Sequence, residues 1–346
     1  MRRSAARMPA RVCAVFLPLV MAAPLAARQA AAVSDAQGQL RKADDLIQQG
    51  KPDQALELLQ GMESRNPALQ GLSARLGKLY YQKHDYERAA GYLRKAIDED
   101  PRDAESVQLL GLSDYLMGHI ADAVPQLEKV QTGLPHPDPT GTYILGLCYL
   151  QMGDRDKART ALAKAFLVAP DSAAAHLVLA KMMMRNDLAE WAEAELQKAL
   201  EMDPHLPMAH FILGEFYLFK SNGPRAIEEF HKELALDPLA WYAYEGLGDA
   251  YIRAENWDEA ERTLKQAIWI NPDFSGPYIL LGKVELRKGQ PDLAAGFLEK
   301  ALTMDPNNYS AHYLLGTAYK QLGREADSKR EIELSENLHK QKTQNP

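Results

Sequence analysis

Eight prolines divide the chain at an almost constant interval. They stand at Pro67, Pro101, Pro135, Pro170, Pro204, Pro238, Pro272 and Pro306, and every step is 34 residues except 135 to 170, which is 35. Ten residues after most of them comes glycine or alanine, at Gly77, Gly111, Ala180, Gly214, Gly248, Gly282 and Gly316; the extra residue in "LPHPDP" delays the remaining one to Gly146. Twelve residues later again come Ala89, Ala123, Ala158, Ala192, Ala226, Ala260, Ala294 and then Ser328. Such a period marks one supersecondary unit repeated in a line. About 34 residues accommodate two helices of about 12 to 15 residues and two short turns. Proline lacks an amide donor and pushes the preceding residue out of the α region, so it separates one unit from the next. The small residues let the two helices of a unit approach closely. A leucine or aromatic ring there would force them apart at a cost of roughly 1–3 kcal/mol.

Residues 241–274 carry Tyr244, Leu247-Gly248, Tyr251, Ala260, Leu264, Ala267 and Pro272. In this phasing the chain resembles the tetratricopeptide repeat family, and the resemblance covers essentially everything after residue 35. Nine units are expected, over 36–69, 70–103, 104–138, 139–172, 173–206, 207–240, 241–274, 275–308 and 309–342. The first is degenerate, keeping Ala43, Ala55 and Pro67, and the sixth has Glu233 where alanine is usual. The resemblance implies an all-α fold, a right-handed superhelical solenoid of antiparallel helix pairs. The last helix, with Ser328 and Ser335 in place of alanine, is polar enough to close the array near residue 340.

The start of the chain differs in kind. Arg2, Arg3, Arg7 and Arg11 precede an apolar run from Val12 to Ala27, with no acid among them. The run is too short, and too broken by Pro18 and Pro24, to cross a bilayer comfortably. Residues 1–32 therefore read as a secretory signal peptide cleaved after Ala27 or Ala32, with an uncleaved anchor as the alternative. The expectation is an exported protein, periplasmic or extracellular and possibly associated with the envelope. Removing the leader takes away five arginines, leaves 35 basic against 47 acidic residues, and moves the net charge from −7 to −12. No basic footprint for nucleic acid is left. Cys13 and Cys148 form neither a zinc pattern nor a disulfide framework.

Three look-alike segments, "AHLVLAKMM", "AHFILGEFY" and "AHYLLGTAY", place His176, His210 and His312 at equivalent sites. They could be metal ligands or one structural position seen three times. All three fall at position 4 of their unit, where Tyr244 and Tyr278 stand in neighbouring units. Whole units separate them, so they are not expected to converge on one metal. Of Met182, Met183 and Met184 only Met184 should face outward from the pair, and Cys148 should be a buried, inert thiol. No Gly-rich phosphate loop, nucleophile elbow or metal-spaced His/Glu pair occurs, so no catalysis and no cofactor are expected. The extra residue near Thr132–Gly141 reads as a surface insertion, with a functional bend as the alternative.

In the family it resembles, the first helix of each pair lines a concave groove through positions 2, 5, 9, 12 and 13. Some members grip a partner's C-terminal carboxylate there with lysine, arginine and asparagine. This chain has no lysine at position 5 and no asparagine at position 9, so a ligand of that type is not expected. Units three to six instead offer Leu112, Tyr115, Leu116, Tyr143, Leu147, Leu150, Leu177, Met184, Met208, Phe211, Leu218 and Phe219. Further on the lining turns charged, with Glu245, Asp249, Arg253, Lys283, Arg287 and Lys320. Such a stripe suits an apolar or amphipathic protein segment, with Tyr143 and Phe211 as anchors. The functional reading is a non-catalytic interaction scaffold of the cell envelope. The alternative is a structural subunit of an envelope assembly (pilus, secretion or polysaccharide export), acting through self-association or its convex face. The oligomeric state is left open by the sequence.

Overall fold

The structure, a computed structural model, describes residues 25–133, 138–186 and 188–344. Most of the expected leader, and residues 134–137 of the insertion, lie outside the described residues. The chain is all-helical there, with no strand among the described residues. It divides into two compact units. The first, ending at Met117, holds α1 (Leu25–Gln48), α2 (Pro52–Glu63), α3 (Leu72–Gln82), α4 (Tyr86–Glu99) and α5 (Ala104–Leu116). The second begins at Gly118 with α6 (Ile120–Gly133) and α7 (Pro139–Gln151), and continues through α8 (Arg155–Ala165), α9 (Ala173–Arg185) and α10 (Ala189–Met202). It then runs through α11 (Ala209–Phe219), α12 (Gly223–Leu236), α13 (Trp241–Arg253), α14 (Trp257–Ile270), α15 (Ser275–Arg287) and α16 (Pro291–Met304) to α17 (Tyr309–Gln321) and α18 (Glu325–Gln344). Within each unit the helices pack as consecutive pairs, and each pair packs on the next.

The pairs close on one recurrent contact. A Cβ added at Gly248 would stand 2.5 Å from the Leu264 side chain, and one at Gly282 would stand 2.5 Å from Leu298. The same holds at Gly77 against Leu93, Gly146 against Leu162, Gly214 against Phe230 and Gly316 against Ile332. The glycine of the first helix is thus a socket for the large residue of the second. Leu93, Leu162, Phe230, Leu264 and Leu298 are fully buried, as are the alanines at Ala89, Ala158, Ala192, Ala226, Ala260 and Ala294. Burying one such leucine is worth about 2 kcal/mol.

Leaving aside that between α9 and α10, the turns inside the pairs are as regular as the helix contact. The middle residue is left-handed at Gly50, His84, Gly118, Gly153, Ser221, Glu255, Gly289 and Gly323. The next residue then donates its amide back to the preceding helix: Asp85 to the Tyr80 carbonyl, Asp154 to Tyr149, Asn222 to Tyr217, Asn256 to Tyr251. This six-to-one bond satisfies a carbonyl that the helix end would leave open. The same four side chains accept from the amides of Arg88, Lys157, Arg225 and Glu259, capping α4, α8, α12 and α14. One residue closes a helix and opens the next.

Successive pairs are joined through the tyrosine of the first helix. Tyr319 donates to Glu299 at 2.7 Å, Tyr217 to Glu193 at 2.9 Å, and Tyr149 to Glu128, each acceptor lying in the preceding pair. α15 has Glu285 in the equivalent place. It is 1% exposed, and neither carboxylate oxygen has a hydrogen-bond partner. Burial, then the Glu261 carboxylate nearby, push its pKa above the usual range.

The substituted alanine position of the sixth unit has its own logic. Glu233, 1% exposed, accepts from the backbone amides of Met208 at 2.8 Å and Phe211 at 3.2 Å, and from the Tyr242 hydroxyl at 3.2 Å. Met208 precedes α11 with a left-handed φ of 67° and offers no side-chain cap. A carboxylate from the neighbouring helix caps α11 instead, where the helix dipole favours negative charge.

Two substitutions test this packing. Gly248→Leu should destabilise the α13–α14 pair by about 1–3 kcal/mol, read from urea denaturation, because the Leu264 socket is filled. A variant that unfolds with the parent would refute the socket. Ser221→Gly should stabilise by roughly 0.5–1 kcal/mol, since glycine adopts the left-handed turn without strain.

Candidate functional site

Curvature places the candidate site. In the second unit α9 touches α11, α11 touches α13, α13 touches α15 and α15 touches α17, whereas no two successive second helices make a comparable contact among the described residues. Helices that converge line the inner side of a curved stack. The first helices therefore form its concave face.

The apolar stripe is thinner than the sequence suggests. Leu112 (7% exposed), Leu147 (6%) and Leu150 (2%) are buried. They belong to the packing, not to the lining. Leu112, Tyr115 and Leu116 lie in the first compact unit, where Tyr115 is half-buried and Leu116 exposed. Met208 sits in the turn before α11, half-buried. In the second unit Tyr143, Leu177, Met184 and Phe211 are half-buried, and Phe219 is 65% exposed. The Tyr143 ring packs edge-on against Phe166, and its hydroxyl approaches the Met182 sulfur at 3.5 Å.

Four of the expected residues do converge. Phe211, Leu218, Glu245 and Asp249 line one cavity of about 410 Å³, together with Glu215, Tyr242, Gly246, Gly276, Ile279 and Leu280. All ten come from α11, α13 and α15. Leu218, 7% exposed, forms part of its floor. The Phe211 and Tyr242 rings meet edge to face, with centroids 4.9 Å apart. Gly276 leaves the room that the Glu245 carboxylate uses, since a Cβ there would collide with it. Glu215 and Tyr242 escaped the sequence reading, although they occupy positions 9 and 2, in phase with the residues that were named.

Of the cavity's three carboxylates, Glu215 and Glu245 make no salt bridge among the described residues. Burial pushes the Glu245 carboxyl up to about 7, helped by the Glu215 and Asp249 carboxylates. Glu215 keeps solvent contact, yet the surrounding wall displaces enough water to raise its pKa too, against a lowering influence from Lys181. Asp249 alone has a close cation, Arg253, at 2.8 Å. Of the remaining charged residues, Lys283 is half-buried, Arg287 and Lys320 are exposed, and none has an ion-pair partner among the described residues.

The three histidines are each engaged within their own pair. Their Nδ1 atoms lie 2.6 Å from Glu195 for His176, and 2.7 Å from Glu229 for His210 and from Glu331 for His312. The partner always stands 19 residues on, in the second helix, so the recurrence of His and Glu at that spacing was readable in the sequence. Among the described residues no group of three or more His, Cys, Asp or Glu could hold a metal. Cys148 is fully buried, and burial pushes its thiol up to about 11, which leaves it unreactive.

Two sequence profiles described as tetratricopeptide repeat match this chain, one over residues 46–112 and 285–341, the other over 143–207 and 213–274. A profile of anaphase-promoting complex, cyclosome, subunit 3 matches residues 82–165. The chain is 26% identical over 102 residues to the human intraflagellar transport protein 88 homolog, a match that covers 28% of this chain and 12% of that protein. Similar solved structures include the APC/C hetero-tetramer Cut9–Hcn1, at 21% identity and a TM-score of 0.44, covering 81% of this chain and 55% of that one. MamA aligns at 24% identity and a TM-score of 0.42, covering 48% of this chain and 96% of its own. A repeat protein from Parabacteroides merdae aligns at 18% identity and a TM-score of 0.37, covering 82% and 98%.

The raised Glu245 makes stability depend on pH. Its folded value lies above the unfolded one, so ionisation opposes folding. Stability falls as pH rises from about 4.5 to about 7 and stays reduced above that. Glu245→Gln should therefore exceed the parent by about 2 kcal/mol at pH 8, while the two unfold nearly together at pH 4. A gain of equal size at both pH values, in urea denaturation, would contradict the assignment.

Proposed function

The chain belongs to the tetratricopeptide repeat family, and from that premise we propose that it is a non-catalytic scaffold of the cell envelope that holds a partner's peptide segment in its concave groove. The observation that carries this is the cavity on the first-helix face of the second unit. There Phe211, Tyr242 and Ile279 stand beside Glu215 and Glu245, neither of which makes a salt bridge among the described residues. Phe219 and Tyr313, on first helices α11 and α17, are 65% and 57% exposed. Apolar surface gathered beside a concave cavity favours a binding role over a purely structural one. The segment that suits this surface is amphipathic, with apolar side chains toward α7 to α11 and polar ones over α13 to α17. Export rests on the arginine-rich start and short apolar run, and N-terminal sequencing of the native protein tests it: a chain beginning at Met1 would refute a cleaved leader.

Binding is tested by affinity capture from the envelope fraction, comparing the parent with Phe219→Ser and with Lys198→Ala, an exposed residue on α10. The parent and the α10 variant should retain the same protein, and Phe219→Ser should weaken it by about 1–2 kcal/mol in a subsequent titration. Loss on the α10 substitution with retention by Phe219→Ser would move the interaction to the convex face and favour an assembly subunit.

A further inference from the structure

The groove of the second unit changes sign along its length. Position 9 of successive first helices reads Lys181 on α9, Glu215 on α11, Asp249 on α13 and Lys283 on α15, with Glu245 beside the two acids and Arg287 one turn beyond Lys283. The carboxylates of Glu215 and Glu245 face a cavity of about 410 Å³ walled by Phe211, Tyr242 and Ile279. Among the described residues neither makes a salt bridge; Lys181 on α9 acts on Glu215 only at longer range, and Arg253 is held by Asp249 at 2.8 Å. Lys283 and Arg287 likewise have no ion-pair partner among the described residues. Two uncompensated patches of opposite sign thus lie one first helix apart.

Resting on the groove reading above, we infer that the partner segment is charge-polarised: a lysine or arginine enters the Glu215–Glu245 cavity, and an acidic side chain lies over Lys283 and Arg287. The chemistry of the cavity selects a cation independently of its charge. The rings of Phe211 and Tyr242 can stack on a guanidinium or on the stem of a lysine, while the carboxylates accept from its donors. The room is adequate, since a cavity of this size falls in the range that takes a side chain rather than a water. Adjacent packed helices are separated by about 10 Å. The basic and acidic residues of the partner are therefore roughly three residues apart if it is extended, or roughly six to seven if it is helical.

The experiment is selection of a random 16-residue peptide library displayed on phage against the full chain without residues 1–32, followed by titration of fluorescein-labelled winners against the protein and its variants. The expected winners carry Lys or Arg beside apolar residues and an acid at one of the two spacings. Glu245→Gln combined with Glu215→Gln should weaken them about tenfold. A winner resynthesised with citrulline or norleucine in place of its basic residue should bind the parent about tenfold more weakly and show no further loss on that double variant. Lys283→Glu with Arg287→Glu should reverse the preference at the acidic position alone. Winners that lose binding on Phe219→Ser but carry no basic residue, or are indifferent to the carboxylate variants, would overturn the polarity while leaving the groove reading intact. A library that yields no Phe219-sensitive peptide would overturn both.

Discussion

A glycine that receives a leucine holds this structure in register. In pair after pair the first helix offers a position without a Cβ, and the second helix fills it with Leu93, Leu162, Phe230, Leu264, Leu298 or Ile332. The contact works through a small residue on one side and bulk on the other, with Ala180 at the glycine position in the α9–α10 pair. It brings the two backbones close, sets the depth at which the alanines of the second helix are buried, and fixes which face of the first helix is left over. That remaining face becomes the inner wall. Gly246 repeats the device between pairs, because a Cβ there would strike the Phe230 ring.

Much of this was legible because it repeats. The proline interval, the small residues and the resulting helix pairs are local, periodic features, and a period multiplies a weak signal. What the sequence hid was mostly non-repeating or reached across helices. Glu233 looked like an anomaly in a column of alanines, yet it caps α11 across 25 residues of chain. Leu112, Leu147 and Leu150 were placed in the lining because they share positions with groove residues, whereas each is buried. Glu245 read simply as a charged groove residue. Its raised pKa arises first from burial behind a wall that no single repeat contains, and then from Glu215 and Asp249 beside it.

The groove and the core answer to different constraints. The core positions vary little in size from pair to pair, while the inner face runs from half-buried Tyr143 and Leu177 through Glu245 to Lys283. Charge that a single pair could not keep unpaired is tolerated there because stacking, not the groove, supplies the stability. Glu285 is the counterexample within the core. It occupies the tyrosine position, buried and without a hydrogen-bond partner, at the junction between α14 and α15.

The two kinds of turn also differ in how the chain can change length. Inside a pair, one residue closes the first helix with its amide and opens the second with its side chain, as Asp85, Asp154, Asn222 and Asn256 do. Adding a residue there would separate the two tasks and cost both helix ends at once. Between pairs no single described residue carries such a double duty, and the departure from the proline interval, in "LPHPDP", falls there. An added residue is therefore accommodated more readily at a joint between pairs than inside a hairpin where one residue serves both helix ends.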